Sequence, residues 1–514
     1  MGSLLLRGGM VADGIGSRIR RADVLIEGPV ITWIGTGSGA GGHDVVTLEA
    51  GSILCPGFID AHVHAELPVL TSGGVEAALA QGVTTLVVGQ DGSSWIGAGS
   101  GTIGYLDQYF GAVNGVLGAR QAMTVSDFSH RVAGRLTQNV AVLASHGTIR
   151  CNVGGFGPGR LTAEQQSAAV AEVEQCLAEG AVGLSSGFDS LPSRHGDVEE
   201  LVAFTRPLAG ADRPYVSHLR EYGPLVRAGL AELVAVGRRA GVRVHASHLW
   251  GTPEDIAAEY RAAAAAGVSL SHDMYPYRRS STILSALLLP TTFLQDGPAA
   301  ALDRLSDPVH RAALVSGPTL RPEVLDEVVL GHVPDSYADD AGLSVTSAAA
   351  RHGKAAGEWV LDLLVDAQLL AGGHRRRPQF REDHMWWILH HDAYSAGSDG
   401  IYLGQRPHPR GYGTFARLAR HYLNEGPELG YQLLARHAAA QPAAVYGLTH
   451  RGRLAPGLAA DVTVIGPGGL TDRASYDHPR RLATGVSLVL VNGTPVWKAG
   501  ESVPGSLPGQ LITR

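Results

Sequence analysis

The run "PGFIDAHVHAE" at residues 56–66 ends an apolar stretch in three groups able to do chemistry: Asp60, His62 and His64. Alternate residues of a strand point to the same side, so His62 and His64 face one point. Two imidazoles converging at a strand end need solvent, a partner or a metal. The same ending recurs along the chain. "VVGQD" stops at Asp91, "VLASH" at His146, "YVSH" at His218, "VHASH" at His248, "LSHD" at Asp273, and "YSAGSD" reaches Asp399. Burying polar groups unpaired costs on the order of 2–7 kcal/mol each. Such regularity therefore marks one shared polar face. Nitrogen and oxygen donors without a thiolate suit Zn²⁺ or another divalent transition metal. The candidate ligands are His62, His64, Asp91, His218, His248 and Asp399.

The elements that would position these groups alternate. Eight short, apolar strand-like runs, from "GFIDAHVH" to "AYSAGSDG", are separated by Ala-rich helical stretches. Residues 161–180 open with Thr162 and Gln165 at capping-box spacing and close on Gly180. Residues 252–267 have Thr252 as N-cap, Pro253 at the first helical position and Gly267 as the stop. Residues 222–241 end in two arginines and a glycine, matching the helix dipole. Strand–helix alternation implies a parallel sheet, and eight units predict an α/β chain folded as a (β/α)8 TIM-type barrel. Polar residues at the C-terminal ends of its strands would then share the barrel mouth, where such folds place their active sites.

The flanks read differently. Residues 1–55 and 444–514 are short strands with Gly turns, which predicts a small β domain formed from both termini around a barrel at 56–443. A long insert at about 285–390 interrupts the barrel and reads as a lid or subdomain. Its "HRRRPQF" run, 374–380, reads as a solvated basic face able to meet an acidic partner.

Bulk properties narrow the class. The 514 residues are 45% hydrophobic and carry a formal net charge of -7, which argues against a nucleic-acid footprint. No apolar stretch is long enough to predict a membrane span, and the first residues read as a hairpin instead of a signal peptide. Three cysteines, Cys55, Cys151 and Cys176, form no disulfide framework and fit a reducing compartment, so a cytoplasmic protein is expected.

These motifs resemble the amidohydrolase superfamily: "HVH" on strand one, a histidine on each of strands five and six, and "GSDG" on strand eight. More closely, the chain resembles the N-acyl-D-amino-acid deacylases, or D-aminoacylases. The shared segments include "PGFIDAHVHAE", "GVTTLVVGQDG", "GAVGLSSGFDSLP", "YVSHLREYG", "DMYPYRRSSTIL", "HPRGYGTF" and "GRLAPGLAADVTV", spanning about residues 50–500. The resemblance implies metal-dependent hydrolysis of the amide of N-acyl D-amino acids, with one or two zinc ions per chain. It makes His62, His64, His218 and His248 ligands, and Asp399 both a ligand and the general acid/base. It makes Arg410 the partner of the substrate carboxylate. Tyr277 and Ser281 follow strand seven and, with His146, are candidate substrate contacts.

Three departures from the family pattern bear on chemistry. Many amidohydrolases use a carboxylated lysine on strand four, but the only lysines here are Lys354 in the insert and Lys498 in the tail. Where the deacylases commonly carry a cysteine after strand two, this chain has Asp91. Where they often have a lysine two residues after the strand-six histidine, it has Trp250, which points to hydrophobic substrate side chains. Two alternatives stay open: an amidase for a small metabolite lacking an α-carboxylate, and a non-catalytic metal-binding scaffold. The expected partner is a small N-acylated molecule. The oligomeric state is not legible in the sequence.

Overall fold

The computed structural model describes residues 2–16, 18–37, 42–118 and 121–514. Its centre is a parallel sheet of β1 (Phe58–Asp60), β2 (Val83–Val88), β3 (Asn139–Ser145), β4 (Gly183–Gly187), β5 (Tyr215–His218), β6 (Val244–Ala246), β7 (Leu270–Met274) and β8 (Tyr394–Ala396). Each strand pairs in parallel with the next in sequence. The ring closes between its ends: the Ala61 amide donates to the Ala396 carbonyl at 3.0 Å. Just beyond, Gly400–Ile401 pairs with Val63–His64. The expected (β/α)8 barrel is the observed fold.

Two apolar layers account for strands that are buried on both faces. Ile59, Val87, Ala141, Leu143 and Val216 form the barrel interior together with Ala443, Val445 and Tyr446 from the helix Gln441–Tyr446, which plugs the bottom. Their sequence neighbours, such as Phe58, Leu86, Val88, Val142 and Tyr215, belong to the larger cluster shared with the surrounding helices. Parallel strands covered on both faces lose the in–out alternation of an antiparallel sheet, as this sequence does.

Helix ends follow the sequence. Thr162 and Gln165 form the reciprocal capping box of the helix Ala163–Ala178. Thr252 accepts from the Asp255 amide ahead of Pro253. Val226–Ala240 ends in Arg238 and Arg239 before a left-handed Gly241.

Both termini contribute to one mixed nine-stranded sheet, in which Ile53–Pro56 pairs antiparallel with Val462–Ile465. Between β7 and β8 lies an insertion with its own three-stranded antiparallel sheet, Arg279–Ile283, Gly372–Arg376 and Val328–His332. Its separate core, including Leu284, Leu330, Val360 and Leu364, packs on Tyr109 and Phe110 of the segment after β2. The insertion is therefore seated on the segment that follows β2. Among the described residues no helix is long and apolar enough to cross a membrane.

Candidate metal centre

Six side chains from five strand ends converge at the C-terminal mouth. His62 and His64 follow β1, Asp91 follows β2, His218 closes β5, His248 follows β6 and Asp399 follows β8. Their donor atoms form two groups, each within 4.8 Å: His62, His64, Asp91 and Asp399, and Asp91, His218 and His248. Asp91 belongs to both. Its Oδ2 lies 3.6 Å from His62 Nε2, 3.5 Å from His64 Nε2 and 3.7 Å from His218 Nδ1. Its Oδ1 lies 3.6 Å from His248 Nε2. Asp399 Oδ1 is 3.4 Å from His64 Nε2 and 3.8 Å from His62 Nε2.

These separations are too long for hydrogen bonds and suit donors arranged around an ion. Buried atoms His62 Nε2, His218 Nδ1 and Asp91 Oδ1 have no hydrogen-bond partner. A folded protein rarely leaves such atoms unsatisfied. The donor set thus fits one or two divalent ions, with Asp91 between them.

The backbone is strained to bring them together. Asp91, His248 and Asp399 are non-glycine residues in the left-handed region, at φ 53°, 34° and 48°, each costing on the order of 1–3 kcal/mol. Glycine opens the space for one of them: a Cβ at Gly187 would meet the Asp91 carbonyl oxygen at 2.2 Å.

A supporting shell fixes the rings. Asp273 accepts the His248 amide at 2.8 Å, faces His62 Nδ1 at 3.4 Å and holds His245 Nε2 at 3.1 Å. Asn114 Oδ1 lies 2.9 Å from His64 Nδ1. Asp189 Oδ2 lies 3.5 Å from His218 Nε2. Asn114 holds the His64 nitrogen turned away from the cluster, and Asp273 and Asp189 face those of His62 and His218, as outer carboxylates and amides do for metal-ligating histidines. Sequence reading places Asp273 only among the strand-end polar groups. His245, Asn114 and Asp189 escape it, and Asn114 carries no local signal at all because it reaches the site from a helix after β2.

Other candidates separate. Arg410 is fully buried, and its Nη1 pairs with Asp399 Oδ2 at 2.7 Å. Its Nη2 donates to the Ser281 carbonyl at 3.1 Å, its guanidinium lies 4.6 Å over Tyr275, and its Nε is unpartnered. Ser281 thus meets the site through its main chain. Tyr277 turns away: its hydroxyl donates to Asp472 at 3.3 Å. Tyr275, two residues earlier, has a buried hydroxyl without a partner; residues two apart in a strand share a side, so "YPY" does not separate the two rings by itself, and the chain's exit from β7 after Met274 does. His146 has both nitrogens engaged, with Ser193 at 3.2 Å and Glu200 at 3.1 Å, which leaves none for a ligand. Trp250 packs on Phe380 at 5.7 Å and over Gly223, where a Cβ would come within 2.6 Å of the indole.

Comparison with known proteins gives this geometry its context. The sequence model of the amidohydrolase family matches residues 347–497. The chain is 32% identical to the N-acyl-D-glutamate deacylase of Alcaligenes xylosoxydans xylosoxydans, over 99% of this chain and 96% of that protein. It belongs to the N-acyl-D-amino-acid deacylase family. The D-aminoacylase of the same organism is 29% identical over 99% and 97% of the two chains. The crystal structure of N-acyl-D-glutamate deacylase from Bordetella bronchiseptica, complexed with zinc and a phosphonate mimic of the tetrahedral intermediate, matches with a TM-score of 0.83. It is 28% identical, over 99% of both chains. A D-aminoacylase with a binuclear metal centre matches with a TM-score of 0.82, also at 28% identity and 99% of both chains.

Electrostatics prepare the donors unequally. Burial pushes the Asp91 carboxyl up, but His62, His218 and His248 outweigh it and hold it well below the usual range. Burial also opposes Asp399 ionisation, and Arg410 with His64 overcomes it. For His64, burial disfavours the proton, yet Asp399 and Asp91 together raise its pKa to about 9. His248 is lowered by burial and by neighbouring His218.

Asp91→Ala is expected to lower metal content or affinity at both donor groups, measured as metal per chain after equilibrium dialysis; unchanged loading and activity would reduce Asp91 to a strand-end acid. A second expectation concerns pH. A ligating imidazole must be deprotonated, so metal uptake by the metal-free protein releases the His64 proton below about pH 9. Affinity should fall roughly tenfold per unit of pH for each proton released as the pH drops from 9 toward 6.5. The same raised pKa stabilises the metal-free fold fully below about 6.5, and that contribution is lost as pH rises through 9. Titration calorimetry in buffers of different ionisation enthalpy reads the released protons, and identical heats in all buffers would contradict it.

Proposed function

We propose that this chain hydrolyses the amide bond of N-acyl D-amino acids with hydrophobic side chains, releasing a D-amino acid and a carboxylate. The observation carrying this reading is Asp399, set between the metal donors on one oxygen and Arg410 on the other. His62, His64, Asp91, His218, His248 and Asp399 would hold one or two zinc ions. The metal supplies Lewis acidity to the substrate carbonyl and to the attacking water.

The chain's own residues carry the proton and the substrate. Asp399, kept ionised by Arg410, takes the proton of the attacking water at Oδ1 and delivers it to the amide nitrogen as the C–N bond breaks. The water oxygen stays on the acyl carbon, so the products balance. Arg410 holds one Nη on Asp399 and offers its unpartnered Nε edge to the α-carboxylate, with the free Tyr275 hydroxyl beside it. Trp250, two residues beyond His248, would add apolar surface to the substrate side, with Phe380 and Arg377 packed on its indole. Three buried cysteines, none in a disulfide, support a cytoplasmic setting.

One observation favours the metabolite-amidase reading. Arg410 is already paired with Asp399, and Trp250 adds no charge, so a substrate lacking a carboxylate would leave no charge unmatched.

Steady-state kinetics separate the two. Asp399→Asn should stay folded and metal-loaded while losing about a thousandfold or more in kcat. Wild type should prefer N-acetyl-D-Leu or N-acetyl-D-Phe to N-acetyl-D-Asp, N-acetyl-D-Glu and the L enantiomers. Arg410→Ala should raise KM for the D-Leu compound by more than about tenfold, or ~1.4 kcal/mol, relative to its carboxamide. A wild type that prefers the carboxamide, with Arg410→Ala indifferent to it, overturns the deacylase reading in favour of the amidase.

A further inference from the structure

The "HRRRPQF" run is unused by the metal chemistry, and the fold gives it company. Arg376 and Arg377 from that run, with Arg278, Arg279 and Arg417, line a cavity of 540 Å³ beside the insertion's sheet. Only two carboxylates, Glu327 and Glu382, share the lining. Neither neutralises the arginines: Glu327 faces Arg375 at 3.9 Å, and Glu382 accepts from the Trp386 indole at 3.5 Å. Among the described residues, none of the five guanidiniums forms an ion pair.

A solvated basic face would leave these side chains extended into water. Here three are half-buried and laid on aromatic rings: Arg279 4.1 Å over Tyr476, Arg377 5.0 Å over Trp250 and Arg417 4.8 Å over Tyr277. Stacking fixes the plane of a guanidinium and leaves its N–H edge free to meet an oxyanion. The Nη1 of Arg377 is buried without a partner. Arg279 and Arg376 are also directly opposite in the antiparallel pair, where like charges repel. A ligand bearing several negative charges relieves all three conditions at once.

We propose that this cavity is a second ligand site, separate from the metal centre, that binds a compact multivalent oxyanion. The volume is in the range of small-molecule pockets, and paired guanidiniums match phosphate or carboxylate oxygens in plane. The site is coupled to Arg410 by one layer of rings. Tyr476, under Arg279, lies 3.2 Å from His408 Nε2, whose Nδ1 accepts the Arg410 amide at 3.0 Å. The strand bearing Arg279 also carries Ser281, whose carbonyl holds Arg410.

Isothermal titration of the metal-loaded protein with inorganic phosphate, and separately with tricarballylate, tests this against chloride at equal ionic strength. One saturable site is expected, with a Kd below about 1 mM, and the tighter of the two anions identifies a phosphate or a polycarboxylate ligand. Arg279→Gln/Arg417→Gln should weaken binding at least tenfold while metal content stays unchanged. Should that pair unfold, the exposed pair Arg278→Gln/Arg376→Gln, which leaves all three stacked rings covered, should still weaken binding several-fold. No saturable binding to wild type overturns the proposal. So does binding that survives in the folded variants, or that disappears only when the metal is removed, because either places the anion at the metal centre.

Discussion

The Asp399 amide donates to the His62 carbonyl at 2.7 Å, and on that contact the barrel closes and its chemistry assembles together. It ties the segment after the last strand to the segment after the first. Asp60 fastens the same seam, accepting from the Ser398 amide at 2.8 Å and its hydroxyl at 2.5 Å. Burial raises the Asp60 pKa to about 7, against the pull of those Ser398 hydrogen bonds. Without the seam, His62 and His64 would lie at one edge of an open sheet and Asp399 at the other. A closed ring of eight strands removes both edges and makes first and last neighbours.

Closure leaves a crowd of ionisable groups in a buried mouth, and the structure handles them by mutual arrangement. Asp91 stands at the centre, its two oxygens turned to different histidines. Asp273 below and Asp189 at the side hold the far faces of the rings. Arg410 offsets the charge of Asp399 from outside. A carboxylate is a harder donor than a thiolate, and it can place one oxygen on each of two ions. The donor set is made of nitrogen and oxygen alone, with no thiolate.

The insertion is more than a cover. Its sheet delivers the Ser281 carbonyl to Arg410 and Arg377 to the indole of Trp250. Arg410 and Trp250 are thus both held by a unit with its own core. That core rests on Tyr109 and Phe110, in the segment that also supplies Asn114 to His64.

Strand order, helix caps and the six polar side chains that converge at the mouth were legible in the sequence. Local chemistry wrote these plainly: period and capping residues specify elements, and strand-end polar groups specify the mouth of a parallel barrel. Two lysines, both remote from β4, excluded a carboxylated-lysine bridge from composition alone. Tertiary structure decided what depends on contacts far apart in the chain. Asn114 reaches His64 across 50 residues and Asp472 captures Tyr277 across 195, and neither pairing leaves a local trace. His146 shares its strand-end position with the donors, yet Glu200 and Ser193 claim both its nitrogens. Tyr275 and Tyr277 differ only in direction, which the irregular chain after Met274 sets and residue type does not. The arginine run reads locally as a solvated face, and only folding brings it together with Arg278, Arg279 and Arg417 around one cavity. Residue type fixes what a side chain can do, and the closed barrel with its insertion fixes which partner it meets.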